Sequence, residues 1–137
     1  MSTKEVPETW GVINLTFTRP GQEEKIRKTV EGYDLIRYFD DYFSFSVNTK
    51  VDGNSYYVAT KVVYDLNVGE TYILTGADKP VWAQLEYNNI EVDKNADGKF
   101  ILTRGGRYPK GEFYFIEEEA FEVTGYFDFE SFTKKNP

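Results

Sequence analysis

Residues 120–130 restrict the fold more than any other stretch. Phe121, Val123, Phe127 and Phe129 fall on one side of a period-two pattern, with Gly125 between them, while Glu122, Thr124, Tyr126, Asp128 and Glu130 fall on the other. A helix would scatter both sets around its circumference, whereas a strand sorts them onto a dry face and a wet one, as antiparallel sheets allow. Phe43, Phe45 and Val47 alternate with Ser44, Ser46 and Asn48 in the same way. Asp52-Gly53 then supplies a hairpin turn before a further strand-like run over 55–64. Other segments rich in Val, Ile, Tyr, Phe and Thr predict strands over 11–18, 71–75, 81–87, 99–103 and 112–116, with a short piece at Ile90 or Glu91.

Residues 21–39 are ambiguous. Gln22-Glu23-Glu24-Lys25 can open a helix with Ile26, Val30, Tyr33 and Arg37 on one stripe, but Gly32 interrupts it. Lys25 to Val30 also fits a short strand, and strand or irregular structure is taken ahead of helix. Turn signals recur at Pro20-Gly21, Val68-Gly69, Lys79-Pro80, Asn88-Asn89, Asp97-Gly98 and Gly105-Gly106. Neither a linker-like tract nor a long repeat divides the 137 residues, so residues 1–137 are expected to form one domain. The expected fold is all-β: a single-domain antiparallel β-sandwich, immunoglobulin-like or jelly-roll-like, of about eight to ten strands.

Leu66, Gly69 and Tyr72, just after the strand that ends near Tyr64, have the spacing of the tyrosine corner and in this resemble immunoglobulin-like and fibronectin-type sandwiches. The resemblance implies a buried Tyr72 whose hydroxyl bonds to backbone near Asp65 or Leu66. It is a folding device and carries no function.

The chain has no Cys and no His. That removes disulfides, thiol nucleophiles, imidazole bases and the usual zinc sites. The sequence also lacks G-x-S-x-G, P-loop and G-x-G-x-x-G motifs. Asp93-Lys94-Asn95-Ala96-Asp97-Gly98 matches the first half of a calcium loop, but the position that needs a bidentate acid is Arg104. An Asx-rich hairpin turn is expected there instead. Acid pairs such as Asp128 with Glu130, or Glu117 with Glu119, have the spacing of a glycosidase pair, yet any acidic strand shows it. The expectation is therefore no enzyme, no cofactor and no metal.

Charge is distributed unevenly. Sixteen basic and twenty-three acidic residues give a net charge of −7, and residues 111–133 hold seven acids with no Lys or Arg. Residues 99–110 carry Lys99, Arg104, Arg107 and Lys110 and no acid. One reading pairs these segments as neighbouring strands with complementary wet faces. The other makes them contact surfaces, with Arg104, Arg107, Tyr108 and Lys110 meeting a partner on one side and Glu117, Glu118, Glu119 and Glu122 on the other. The acidity disfavours nucleic acid. Trp10, Trp82 and the eleven Tyr residues are candidates for a sugar-stacking platform as well as for core.

These features rank a non-catalytic structural or binding module first, such as a subunit or decoration of a virion, pilus or cell-surface assembly. A small lectin-like glycan-binding module and an acidic inhibitor mimicking nucleic acid are the alternatives. Expected partners are a protein or further copies of the chain, with glycan as the alternative. No apolar run suits a membrane span or a signal peptide, so a cytoplasmic or virion location is expected if Met1 is the native start. Polar ends such as residues 133–137 fray unless something ties them down, so order there would favour assembly.

Overall fold

The computed structural model describes residues 8–132, with side chains described from residue 9 to residue 130. The expectation about the chain ends falls outside that range. Eleven strands make up the described chain: β1 (Glu8–Thr18), β2 (Ile26–Tyr33), β3 (Ile36–Tyr38), β4 (Tyr42–Val51), β5 (Asn54–Val63), β6 (Thr71–Leu74), β7 (Val81–Tyr87), β8 (Ile90–Asp93), β9 (Asp97–Arg104), β10 (Lys110–Glu117) and β11 (Phe121–Phe132). They form a six-stranded sheet in the order β2-β1-β11-β10-β9-β6 and a five-stranded sheet in the order β3-β4-β5-β7-β8. All pairings are antiparallel, and the two sheets make a β-sandwich.

The strand count exceeds the expected range because residues 21–39 contribute two edge strands. Ile26 and Val30 sit half-buried on β2 opposite β1, and Asp34 takes a left-handed φ of 63° that turns the chain into β3. That turn breaks the helical stripe on which Arg37 would have followed Tyr33. Asp52-Gly53 turns between β4 and β5 with φ of 51° and 82°, the doubly positive geometry that joins two-residue hairpins. Asn88-Asn89 repeats it between β7 and β8 with 51° and 66°.

The alternation of β11 translates directly into burial. Phe121, Val123, Phe127 and Phe129 are at most 1% exposed. Phe127 is the aromatic centre of the core, 4.7 Å from Phe45 of the opposite sheet, 5.7 Å from Phe129 and 5.8 Å from Phe100, centroid to centroid. Gly125 leaves room for this packing, since a Cβ there would lie 2.5 Å from the Phe113 ring and 2.6 Å from the Asn14 carbonyl oxygen. The buried hydrophobic side chains form one cluster reaching from both sheets.

Tyr72 meets the corner expectation in part. Its hydroxyl accepts from the Asn67 N–H at 2.8 Å, one residue beyond Leu66, but the ring is half-buried because β6 is the edge of its sheet.

Candidate functional site

Three surfaces carry the chemistry that the core does not absorb. The first is the end of the sandwich where β9 turns into β10. Arg104 closes this turn from within: its Nε donates to the Tyr108 carbonyl at 2.7 Å, while Nη2 donates to Asp128 Oδ1 at 2.6 Å and to the Phe129 carbonyl at 2.9 Å. Register explains the contact, since Arg104, Lys110 and Asp128 form one row across β9, β10 and β11. One cation of the basic segment is thus joined to one acid of the acidic segment, and that pair acts as a strand clamp.

Arg107 projects from the same loop, exposed, with its guanidinium 5.9 Å from the Tyr108 ring centre. Its carbonyl accepts from the Tyr38 hydroxyl, which ties the loop to the edge strand of the opposite sheet. Tyr38, Tyr64, Gly106 and Arg107 line a depression of about 460 Å3 there. Tyr38 and Phe39 are 38% and 45% exposed and Tyr64 is 41% exposed. Burial raises the pKa of both tyrosines, and for Tyr38 a side-chain hydrogen bond with Thr9 and the charge of Arg107 act in the opposite direction. Lys110 is exposed beside the loop.

The acidic residues lie at the far end of β10, seven residues along, or about 23 Å at a strand's rise per residue. Glu117 caps the turn into β11, its Oε1 accepting from the Glu119 N–H at 3.4 Å, and Glu118 and Glu119 face water. Glu122 accepts from the Tyr114 hydroxyl at 2.9 Å, and Tyr114 has a raised pKa, first from burial and then from that carboxylate. Arg19 closes this end: its Nε donates to the Ala120 carbonyl at 3.3 Å and its guanidinium lies 4.2 Å from the Tyr87 ring centre. A pocket of about 270 Å3 lies between Arg19, Gln22, Glu117, Glu118 and Glu122. The fold therefore separates the basic and acidic candidates by the length of a strand rather than bringing them together.

The third surface is the outer face of the five-stranded sheet. Register aligns Ser44, Lys61 and Trp82 in one row across β4, β5 and β7, and Ser46, Ala59 and Gln84 in the next. Because Ala59 is small, a depression of about 470 Å3 opens over it, walled by Tyr42 and Trp82 and reached by Lys94. Sequence reading singled out Trp82, and Tyr42 only as one of the eleven Tyr residues, but not Ala59, Lys61 or Lys94. The signal was there in the alternation of each strand, yet the cross-strand register that assembles the site requires the fold.

In the loop resembling a calcium site, Asp93 Oδ1 accepts from the Asn95 N–H at 2.9 Å, an Asx turn as expected, but the turn joins no hairpin: it carries the chain from β8 in the five-stranded sheet to β9 in the six-stranded one. Lys79, only 4% exposed, brings its ammonium to the Asn95 carbonyl at 2.7 Å and Asp97 Oδ1 at 2.9 Å. A lysine of this chain thus supplies positive charge to Asp97, one of the side chains a metal ion would draw on. Among the described residues no group of three or more acidic side chains converges to hold a metal, and no helix is long and apolar enough to cross a membrane.

No family model, curated protein or solved structure matches the chain.

Proposed function

We propose that this chain is a non-catalytic binding module that works through its surfaces as a subunit or decoration of a larger protein assembly, such as a virion, pilus or cell-surface structure. The observation that carries the reading is the pair Tyr38 and Tyr64, left more than a third exposed around one depression with Arg107. Burying such rings against a protein partner removes apolar area from water, and Tyr and Arg are the residue types in which binding energy concentrates. The backbone beneath them is pinned by the Tyr38 hydroxyl and by Arg104, so little ordering cost remains for association. The acidic turn at 117–119 lies at the opposite end, which suits head-to-tail contact between copies and hence rings or open arrays rather than two-fold dimers. Asp40 and Asp41 share the rim with Arg107's end of the sandwich, so the aromatic rings rather than net charge supply most of the attraction.

The test is mass measurement during size-exclusion chromatography, over a range of concentrations, of the parent and of Arg107→Glu combined with Tyr64→Ala. Self-association that disappears in the folded double variant supports the reading. A variant that associates like the parent, or a parent that stays monomeric and captures no protein partner through this end, overturns it.

A further inference from the structure

We propose that the depression on the outer face of the five-stranded sheet is a binding site for an acidic saccharide, a pyranose ring bearing a carboxylate. The depression shares no lining residue with the one at the loop end. Its walls are amphipathic in the way a sugar is. Tyr42 and Trp82 supply aromatic surface for the C–H face of a ring, and Trp82 is 37% exposed on a strand whose inward residues, Val81, Ala83 and Leu85, are fully buried. Nothing in the core requires that indole; it stands on the wet face of β7.

Polar groups surround the aromatic walls. Ser44 presents a hydroxyl in the same row as Trp82, and Gln84 donates to Glu86 Oε2 at 3.0 Å, which holds the amide and leaves its carbonyl oxygen as an acceptor for a sugar hydroxyl. Tyr42 is held by two neighbours: the Phe39 ring stacks on it at 4.7 Å, centroid to centroid, and the Lys61 ammonium lies 5.4 Å from its ring centre. The walls are therefore pre-formed, as small-molecule sites usually are, and the volume of about 470 Å3 falls within the range such sites occupy.

Charge selects the acid. The protein carries −7 overall, yet the cations at this depression are Lys61 and Lys94, and among the described residues neither has a carboxylate within ion-pair distance. The acids on this face, Glu86 and Glu91, pair with each other's positions one row further toward the 88–89 turn, and Glu86 is engaged by Gln84. Two ammonium groups without a carboxylate partner, flanking an aromatic wall, complement a carboxylate on a stacked ring, through charge-assisted hydrogen bonds that a neutral sugar does not offer. An acidic peptide would satisfy the lysines but make no use of the exposed indole.

Isothermal titration of the intact chain tests this with oligomers of galacturonate, mannuronate and sialic acid, with neutral galactose oligomers and hexaglutamate as comparisons. At least one acidic saccharide should bind, with the neutral oligomers weaker by about tenfold or more. Trp82→Ala should weaken saccharide binding by about tenfold or more. The double variant Lys61→Met with Lys94→Met should abolish the preference for acid over neutral sugar. Ala59→Leu, which fills the floor from the solvent side, should block binding without lowering the melting temperature, and so separates loss of the site from loss of fold. The proposal is overturned if no acidic saccharide binds up to about 10 mM. It is equally overturned if binding survives Trp82→Ala, or if hexaglutamate binds as well as the saccharides.

Discussion

Lys79 offers the sharpest test of how this sandwich is held at its open side. Its side chain is 2% exposed while that of its partner Asp97 is 62% exposed, so the two ends of one ion pair sit in different environments. Asp97→Ala leaves a buried ammonium with the Asn95 carbonyl as its remaining acceptor. Breaking a fully buried pair in this way costs about 3–5 kcal/mol. Because the lost carboxylate is mostly wet and water can follow it, the expected cost is nearer that of one charge-assisted bond, about 1.5–3 kcal/mol. Lys79→Met keeps the unbranched stem and removes the charge. It orphans the Asn95 carbonyl, a cost of about 1–3 kcal/mol, but also relieves the ammonium's desolvation, so the net loss is about 1 kcal/mol. In the Met background Asp97 has no buried charge to serve, and Asp97→Ala should cost under about 0.5 kcal/mol, giving a coupling of at least about 1 kcal/mol. Urea unfolding followed by tryptophan fluorescence measures all four corners of the cycle. If Asp97→Ala costs the same in both backgrounds, the ammonium and the carboxylate do not interact and the account of this loop fails. Calcium or a chelator should leave the parent's melting temperature unchanged, because Lys79 already engages Asp97 and the Asn95 carbonyl.

Thr60 is completely buried with its hydroxyl unpartnered, so Thr60→Val should stabilise the chain by about 1 kcal/mol in urea unfolding; a loss of stability would reveal a hidden partner. Tyr72→Phe removes the acceptor of the Asn67 N–H and should cost about 1 kcal/mol, whereas an unchanged midpoint would show the corner to be decorative. Burial raises the pKa of Tyr38, Tyr56, Tyr64 and Tyr114, so the folded chain keeps phenol protons that the unfolded chain releases near pH 10. Their contribution is fully present below about pH 10 and is lost as pH rises further, so the urea midpoint should fall as pH rises from about 10 to about 11, and less steeply in Tyr56→Phe. A midpoint that holds or rises over that interval would contradict this.

Alternation alone determined much of the fold. Side chains two residues apart share a face, so Phe43, Phe45, Val47 and the Phe121–Phe129 series had to be buried together, and Asp52-Gly53 had to turn between strands. Those are local consequences of backbone geometry, which is why they are legible one residue at a time. Residues 26–38 were not, because a β-edge and a broken helix leave similar apolar spacing and only pairing with β1 and β4 separates them. The charge map was legible as composition and altered by contact: Arg104 and Asp128 are twenty-four residues apart in the chain and meet because register places them in one row. The aromatic depression likewise draws on β4, β5, β7 and the residue after β8, and its floor exists because Ala59 lies between Ser46 and Gln84. Sequence specifies which face of each strand is wet; which wet faces become neighbours is decided by strand order and register, and those depend on long-range hydrogen bonding that no local pattern encodes.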